Sequence, residues 1–432
     1  MDSPSGEGGG IPSPARVLLP LGLAMMFSLM GDQTLYASLA AHRDVVGISV
    51  AAVGVMLGVN RLVRIPSNPL GGMLADRWGR RRPFLVGLAA GAVSTAICAL
   101  AHGFWPMLAG RLLWGLSWTL INMSALSMLL DLTVQTNRGR IAGFFQMAYL
   151  LGLASTALVS GFLVDAIGFR QTLWLGAGVT AAGFLAAALA LPETLRARDR
   201  TARTFQPLFA GESLGFLRSL DRRIFAATLM YMVTNFAGNG VVMSTVALLL
   251  RTRYGDFVPL GASHVGVSSL AGTLLGLGPL LGIVTGPAAG RLSDSPRGRW
   301  RVIVWGFVLG FIAFGALAVD QALGLIVGGI VLVSAADGIL LPTLMAQAGD
   351  LAHPERRGRE MGLYATGGDV GSAAGPFVAF ALARVFDLRW VYGLCAGLYL
   401  AALALALWMR RRQQADNLRV TARIRRRPGC PG

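Results

Sequence analysis

Six charged residues interrupt long apolar segments of this sequence, and their types make them the first candidates for chemistry. A charge inside an apolar helix is costly in lipid unless it has a partner or faces water. Three are acidic and three are basic, which indicates buried ion pairs, and a carboxylate held in such a pair is a candidate for proton transfer. The six are Asp32, Asp337, Asp369, Arg61, Arg64 and Arg111.

Depth in the predicted helices suggests one pair. Asp32 lies about eight residues, or ~12 Å, from the outer end of the first helix, and Arg111 lies about six residues, or ~9 Å, from the outer end of the fourth. An aspartate beside an arginine stays ionised until substrate or a conformational change separates them. The sequence therefore predicts a coupling pair, and the alternative is a permanent ion pair that only fixes helix packing.

The elements that position these residues are membrane helices. The sequence is 54% hydrophobic and 14% charged, whereas soluble domains contain about 25% charged residues. Apolar segments long enough to cross a ~30 Å hydrocarbon core recur about twelve times. Twelve transmembrane helices are predicted, near residues 17–40, 47–74, 83–102, 105–130, 141–166, 171–192, 224–250, 264–290, 302–319, 322–349, 360–386 and 390–409.

An internal repeat divides these helices into two sets of six. The segment from Gly72 to Arg82 returns near Gly290, and a second motif returns at an offset of 219. A repeat of this length predicts two pseudo-symmetric six-helix bundles, an arrangement typical of transporters. The predicted domains are an N-terminal tail (1–15), a first bundle (16–193), a linker (194–223), a second bundle (224–410) and a basic tail (411–432).

The net charge of +17 has a distribution that argues against nucleic-acid binding. All 38 basic residues are arginine, and in the predicted topology 29 lie on one side, six on the other and three within helices. This asymmetry predicts a multi-pass protein of the cell membrane with both termini in the cytoplasm. We expect the basic tail to contact anionic lipid, so the bilayer is a partner and nucleic acid is not.

Missing residues exclude several activities. The chain contains no lysine, so it has neither a phosphate-binding Gly-x4-Gly-Lys loop nor a lysine for Schiff-base chemistry. Its four histidines and three cysteines are scattered without metal-ligand or triad spacing. We therefore expect no enzyme activity, no cofactor and no metal. The residues concerned are His42, His102, His264, His353, Cys98, Cys395 and Cys430.

With twelve predicted helices, the repeated motifs resemble those of the major facilitator superfamily over residues 16–410. The most specific is Gly72-x-x-x-Asp76-Arg77-x-Gly79-Arg80-Arg81, with a degraded copy around Asp294. A further motif, Asp-x6-Arg-Gly-Arg, and a Leu-Pro-Glu-Thr segment after helix 6 support the resemblance. Their residues are Asp131, Arg138 and Arg140, then Asp350, Arg357 and Arg359, and Leu191 to Thr194.

The resemblance implies an all-α membrane protein whose two bundles surround a central cavity, with helices 1 and 4 among those that line it. It also implies a cytoplasmic latch, in which Gly72 allows helix ends to approach, Asp76 lies near the N-terminus of helix 11, and Asp131 pairs with Arg80, Arg81 or Arg140. The alternative is that these arginines only enforce topology. Helices 2 and 11 meet in this fold, which makes Arg61 and Asp369 a possible pair, whereas we expect Arg64 to extend to the surface.

Polar and aromatic residues on predicted cavity helices are candidates for substrate contact. Asn235 and Asn239 are one turn apart and share a face of helix 7. Asn122 and Trp118 lie on helix 4, and Asp337 on helix 10. Such residues also serve simple packing, and the sequence leaves that alternative open.

Asp32 with Arg111 and Gly115 resembles the drug/proton antiporter branch of the family. The chain departs from that pattern by having Trp114 where glutamine is usual and by lacking Gly-Pro in helix 5. The main prediction is proton-coupled export of a small amphiphilic compound by a functional monomer, with the proton as coupling ion. The alternatives are uptake or exchange of an organic anion through Arg61 and Arg111, and a non-transporting sensor or lipid-handling protein of this fold.

Overall fold

The computed structural model describes residues 14–133, 138–195, 222–260, 263–293, 296–319, 322–353 and 357–425. Within these ranges the chain is almost entirely helical. The elements in chain order are α1 (Pro14–Ser38), α2 (Arg43–Val46), α3 (Val50–Trp78), α4 (Arg81–Leu100), α5 (Phe104–Asp131), α6 (Arg138–Ile167), α7 (Phe169–Ala190), α8 (Arg222–Asn235), a π-helical segment (Phe236–Val242), α9 (Met243–Tyr254), β1 (Phe257–Leu260), β2 (Ser263–Gly266), α10 (Val267–Ser293), α11 (Pro296–Val319), α12 (Leu323–Leu351), α13 (Arg357–Leu382) and α14 (Leu388–Arg425).

The helices form because a chain in lipid must satisfy its backbone hydrogen bonds within each segment. Among the described residues, eleven helices are long and apolar enough to cross a membrane. One of them, Arg222–Tyr254, contains α8, the π-helical segment and α9. The sequence predicted twelve spans. The place of the predicted span 360–386 is taken by the 26-residue α13, whose sequence carries four charged residues and which is not among the eleven.

Two local features mark the ends of α3, the second long helix. The α3 helix stops at Gly79, whose φ of 89° lies in the left-handed region that favours glycine. At the start of α3, the Ser49 side chain accepts a hydrogen bond from the Ala52 amide. The tight turn at Gly79 keeps Asp76 and Arg80 next to each other at one end of the helices, which we call the motif end.

The chain packs as two compact units. Unit 1 contains Met1–Ala210 and Ser244–Gly276, and unit 2 contains Gly211–Met243 and Leu277–Gly432. In unit 1, α1 packs against α6 and α7, while α5 packs against α3 and α4. Small residues allow the close contacts: a side chain at Gly87 would overlap Ile121, and one at Gly115 would overlap the Asn60 backbone. These contacts hold α1, α3 and α5 around the first group of buried charges.

Unit 1 also includes the first part of α10, which packs on α6. A Cβ at Gly161 would overlap the carbonyl of Ser268, and one at Gly276 would lie 2.8 Å from the carbonyl of Ala154. Asp165 Oδ2 accepts a hydrogen bond from the Ser269 amide at 2.7 Å, at the N-terminus of α10. A carboxylate is favourable there because of the free amides and the helix dipole.

In unit 2, α11 packs against α12 and α14, and α13 packs against α8 and the π-helical segment. The backbones of Gly240 and Gly375 touch, since a Cβ on Gly240 would lie 2.8 Å from the Gly375 Cα. Tyr231 of α8 stacks on Tyr364 of α13 with 4.1 Å between ring centroids. The predicted boundary at 194–223 stays a prediction. It separates the two sequence repeats, whereas the two spatial units are also divided within the seventh and eighth spans.

Candidate functional site

An ion pair between α1 and α5 lies inside unit 1. Nη1 of Arg111 is 2.7 Å from Oδ1 of Asp32, and the two side chains are 1% and 8% exposed. Arg111 also donates from Nε to the carbonyl of Met56 at 2.7 Å. A charge-assisted hydrogen bond of this length is roughly twice as strong as a neutral one. The structure thus brings together the two residues for which the sequence predicted similar depths in their membrane helices.

Residues of α3 complete the surroundings of this pair. Asn60 Nδ2 donates to Asp32 Oδ1 over 3.4 Å, and Tyr36 of α1 donates to the carbonyl of Leu57 at 3.0 Å. The Arg61 Nε donates to the Tyr36 hydroxyl at 3.1 Å. The guanidinium carbons of Arg61 and Arg111 lie 5.4 Å and 5.8 Å from the Tyr36 ring centroid, where cation–π attraction is favourable.

Some polar atoms near the pair retain hydrogen-bonding capacity. Within the described part of the chain, Arg111 Nη2, Asn60 Oδ1 and Trp114 Nε1 are buried and have no hydrogen-bond partner. Buried polar groups are normally paired with protein or water. Two donors and one acceptor are therefore available beside Asp32 to bind water or the polar group of a substrate.

Aromatic residues of α5 and α6 lie next to this polar cluster. Trp118 is buried against Trp114 and Tyr149, with ring centroids 6.1 Å and 6.0 Å away. The Arg64 guanidinium lies over the Trp118 ring at 5.4 Å. Arg64 thus remains half-buried beside the aromatics instead of extending to the surface, because the indole face offers its charge a partner. Asn122 follows one turn later on α5 and is half-buried.

The motif end of unit 1 is organised around Arg80, whose side chain is 1% exposed. Its Nε donates to Asp131 Oδ2 at 3.1 Å, and its Nη1 pairs with Asp76. The hydroxyl of Thr194 donates to the same oxygen of Asp131 at 3.0 Å. Burial opposes the charged form of Arg80, but the hydrogen bonds and charges of Asp76 and Asp131 raise its pKa above the ordinary value.

Other residues of the motif have different surroundings. Arg81 Nη2 donates to the carbonyl of Ala188 at 2.5 Å, and Arg77 is exposed. A side chain at Gly72 would meet no described atom within 4 Å, so the close approach expected at Gly72 is absent from the described structure. The contact of Asp76 with helix 11 would join the two units and stays a prediction.

Glu193 is a functional candidate that the sequence reasoning did not single out. Its Oε1 accepts from the Arg80 amide at 2.8 Å, and its Oε2 accepts from the Arg81 amide at 3.2 Å. Oε1 also accepts from the Thr194 and Leu195 amides at 3.1 Å and 3.0 Å. Glu193 therefore caps the N-terminus of α4 and fixes the segment after α7 against the motif. An acidic residue directly after a helix was the available signal.

The second copy of the motif repeats part of this arrangement in unit 2. Arg299 pairs with Asp350, and each residue lies 219 positions after its counterpart in the Arg80–Asp131 pair. Glu360 accepts from the His353 amide at 2.8 Å. Asp294 lies outside the described residues, and so do the side chains of Arg138, Arg140, Arg357 and Arg359.

Polar residues of unit 2 form two groups. Asn239 Nδ2 donates to Asn235 Oδ1 at 3.0 Å, and Asn235 Nδ2 donates to the carbonyl of Tyr231 at 3.0 Å. Asp369 lies close enough to Tyr231 to interact with it electrostatically. In the second group, Tyr399 donates to Asp337 Oδ1 at 3.2 Å. The suggested pairing of Arg61 with Asp369 would join the two units and stays a prediction.

Metal chemistry receives no support from the side chains that the structure describes, since they contain no group of three or more His, Cys, Asp or Glu residues able to hold a metal ion. The described cysteines, Cys98 and Cys395, are both free thiols inside the helices. The site is instead built from carboxylates, guanidiniums, amides and aromatic rings. Carboxylates of such a set can exchange protons, and its guanidiniums and amides can form hydrogen bonds with polar organic groups.

Sequence and structure comparisons identify related proteins along most of the chain. It is 28% identical over 357 residues to the class G tetracycline resistance protein of Vibrio anguillarum, covering 81% of this chain and 86% of that protein. It is 24% identical over 370 residues to the multidrug resistance protein MdtG of Citrobacter koseri, covering 84% and 86%.

A solved structure of a bacterial homologue of the human lysosomal transporter Spinster shares the fold, with a TM-score of 0.73, 16% identity and coverage of 94% and 98%. The family model of the Major Facilitator Superfamily matches residues 21–320 and 257–429. The chain is therefore a member of the Major Facilitator Superfamily, a family of multi-pass membrane transporters and not of enzymes.

Proposed function

We propose that this transporter exports small amphiphilic compounds in exchange for protons. The observation that carries the proposal is the buried ion pair between Asp32 and Arg111. The tetracycline and multidrug resistance proteins among the relatives support the class of substrate. The arginine asymmetry of the sequence supports a cell-membrane location with the motif end and both termini in the cytoplasm.

The chemistry of the pair explains how a proton and a substrate can compete. A proton that binds Asp32 removes the negative charge that holds Arg111 and leaves a buried guanidinium with one partner fewer. Nη1 of Arg111 is then released and can bind a polar group of the substrate, together with Arg111 Nη2 and Asn60 Oδ1, which have no partner in the structure. When Asp32 releases its proton, the ion pair forms again and displaces that group. A charged residue inside a span acquires a coupling role in this way.

We propose that the Asp76–Arg80–Asp131 cluster, with Glu193 beside it, closes the cytoplasmic end. Arg80 binds two carboxylates at once, so separating α3 from α5 breaks at least one charged hydrogen bond. Arg299 and Asp350 give unit 2 a corresponding contact. Arg138, Arg140, Arg357, Arg359 and Asp294 belong to the same proposal by their place in the repeated motifs.

The proposal is tested by proton movement in proteoliposomes under an imposed pH gradient. Lipophilic cationic drugs and organic anions are added separately to wild type, Asp32→Asn and Asp44→Asn. Asp44 pairs with Arg43 at an exposed position, 3.7 Å apart, and so provides a matched control. We expect cationic drugs to collapse the gradient in wild type and Asp44→Asn but not in Asp32→Asn. Equal proton flux in all three proteins would contradict a coupling role for Asp32.

A second candidate function is uptake or exchange of an organic anion, and one observation favours it. Arg61, Arg64 and Arg111 lie within electrostatic reach of Asp32 or of one another, so positive charges outnumber the single carboxylate. Arginine binds carboxylate and phosphate groups well. Flux that responds to anions alone in the same assay would favour this alternative over export of cationic drugs.

A further inference from the structure

A second carboxylate of unit 2 lies within the membrane helices under conditions that differ from those of Asp32. Asp337 is in the middle of α12, where its Oδ1 accepts a hydrogen bond from Tyr399 of α14 at 3.2 Å. Its Oδ2 faces Gly238 so closely that any side chain at position 238 would overlap it. The carboxyl group is thus held between a phenol hydroxyl and the backbone of the π-helical segment.

Among the residues that the structure describes, no positively charged group interacts with this carboxyl. Tyr399 is the one side chain described as interacting with it. From α8, Thr234 lies within hydrogen-bonding reach of Tyr399, and from α14 itself Cys395 lies nearby. Phe307 and Phe314 of α11 pack on the Tyr399 ring, with centroids 5.5 Å and 5.0 Å away. On α13, Asp369 interacts electrostatically with Tyr231.

An ionised carboxylate in such a place would be expensive. A charge inside a membrane helix is costly when it has no counter-ion, and a carboxyl group avoids that cost by keeping its proton. Asp32 has the opposite environment, since Arg111 and Asn60 both donate to it. The two aspartates therefore differ in their partners, since a guanidinium is bound to Asp32 and a phenol hydroxyl to Asp337.

The contact with the π-helical segment offers a way to change this state. Phe236–Val242 has the wide turn of a π-helix, a feature that is rare and frequently occurs at functional sites. The same segment touches α13 where Gly240 meets Gly375. Any movement of the seventh span relative to α12 therefore changes the surroundings of Asp337 Oδ2. Asp337 is itself half-buried, so part of it remains accessible for proton exchange.

We propose that Asp337 is a second proton-binding site, in unit 2, that holds its proton without an arginine partner. Binding adds one proton to the carboxylate and makes the group neutral, and release returns that proton to water. Tyr399 positions the group by donating to Oδ1, which leaves Oδ2 as the oxygen that carries the proton. A role in transport rests on the proposed function above, whereas the protonation itself does not.

Infrared difference spectroscopy of the purified protein in lipid tests the proposal directly. The carbonyl stretch of a protonated carboxyl group is separate from the carboxylate bands and shifts in D2O. At neutral pH we expect this band in wild type and in Asp32→Asn, and a loss of intensity in Asp337→Asn. Tyr399→Phe should move the band to higher frequency, because one hydrogen bond to the carbonyl oxygen is lost.

The outcomes separate this inference from the proposed function. An unchanged band in folded Asp337→Asn, or no effect of Tyr399→Phe on its frequency, would overturn the second proton site even if Asp32-dependent export is found. The expected band without any drug-dependent proton flux would support the site and reject the export proposal. If Asp337→Asn does not fold, the frequency shift of Tyr399→Phe alone decides, because that variant keeps the carboxyl group.

Discussion

Nη1 of Arg111 and Oδ1 of Asp32 lie 2.7 Å apart between α5 and α1, with both side chains almost completely buried. The pair connects two helices that have few other contacts with each other. A buried pair of this kind costs desolvation energy, so its value for packing alone is small. Its position beside polar atoms that have no other partner agrees better with a group that changes its bonding during transport.

Removing one member of this pair should destabilise the protein strongly. Arg111→Ala removes the guanidinium that is hydrogen-bonded to the buried Asp32 carboxylate, and breaking a buried pair typically costs roughly 3–5 kcal/mol. Thermal unfolding in detergent would measure the effect at neutral pH. Adding Asp32→Asn to Arg111→Ala should restore part of the stability, because the uncompensated charge is gone.

Arg43→Ala is the matched control, because the pair of Arg43 and Asp44 is open to solvent, with side chains 29% and 80% exposed. Exposed pairs contribute at most ~1 kcal/mol. A similar fall of the unfolding temperature in Arg111→Ala and Arg43→Ala would contradict the importance of burial at the Asp32–Arg111 pair.

At the motif end, Arg80→Lys should impair transport more than Arg81→Lys. Arg80 uses two different nitrogens to bind Asp131 and Asp76, and a lysine ammonium cannot reproduce this fork. Losing one hydrogen bond to a charged group costs roughly 1.5–3 kcal/mol. Arg81 bonds through its side chain to a single carbonyl, that of Ala188, which lysine can also reach.

The initial rate of drug transport in proteoliposomes, with the amount of folded protein determined separately, distinguishes the two variants. We expect the Arg80→Lys rate to fall about tenfold or more, the factor that corresponds to ~1.4 kcal/mol. Equal rates for Arg80→Lys and Arg81→Lys would indicate that these arginines serve topology alone.

Gly375→Ala should destabilise unit 2, because a methyl group there would overlap the Gly240 backbone and the carbonyl of Phe236. Overpacking of this kind costs roughly 1–3 kcal/mol. Gly397→Ala is the control, since position 397 is exposed on α14 and a Cβ there meets no described atom within 4 Å. That change should stabilise the helix by up to ~1 kcal/mol.

The midpoint of thermal unfolding compares the two glycine variants. Because Gly375 contacts the π-helical segment, Gly375→Ala should also alter the infrared band of Asp337. An unfolding midpoint for Gly375→Ala equal to that of Gly397→Ala would show that the two backbones do not touch in the folded protein.

His42 should make the stability of unit 1 depend on pH. Burial lowers the pKa of the imidazole below its ordinary value of 6.5, while the Ser38 carbonyl and Asp165 oppose this effect and Arg251 adds to it. The unfolded chain therefore takes up a proton at a higher pH than the folded protein does. Stability contributed by neutral His42 is present above pH 6.5 and is lost as the pH falls through the lowered pKa.

Unfolding temperatures measured from pH 7.5 down to pH 5 would show this loss. His42→Gln, which keeps a polar side chain but does not titrate, should fall less steeply over the same range. His102→Gln is the control, because His102 is exposed. Parallel curves for wild type and His42→Gln would contradict the assignment.

The positions of the membrane helices along the chain could be predicted from the sequence, because a segment that crosses lipid must be apolar and long enough to span the hydrocarbon core. Apolar length predicted the spans, and eleven of the described helices meet the criteria for crossing a membrane. A helix, α13, occupies the place of the remaining predicted span, although it is not among these eleven. The motif around Asp76 predicted the family, which the family match confirms. Each of these features depends on neighbours in sequence, where spacing is directly visible.

Some contacts within the candidate sites could be predicted from the sequence, and others could not. Equal depth suggested Asp32 and Arg111 as partners, because rise per residue converts sequence position into height in the membrane. Sequence position does not show in the same way which neighbouring helix a side chain faces. The sequence therefore did not predict that Arg64 packs on Trp118, or that Glu193 caps α4 after a return of more than a hundred residues.

By itself the sequence determined the membrane class, the family, the spans and the charged residues that require partners, because hydropathy, arginine distribution and repeated motifs are local properties. The tertiary structure decided which partners those charges find. Asp32 received an arginine, whereas Asp337 received a tyrosine and the backbone of a π-helical segment. That difference depends on which sides of the helices face each other, and close contacts such as that of Gly238 with Asp337 appear only in three dimensions.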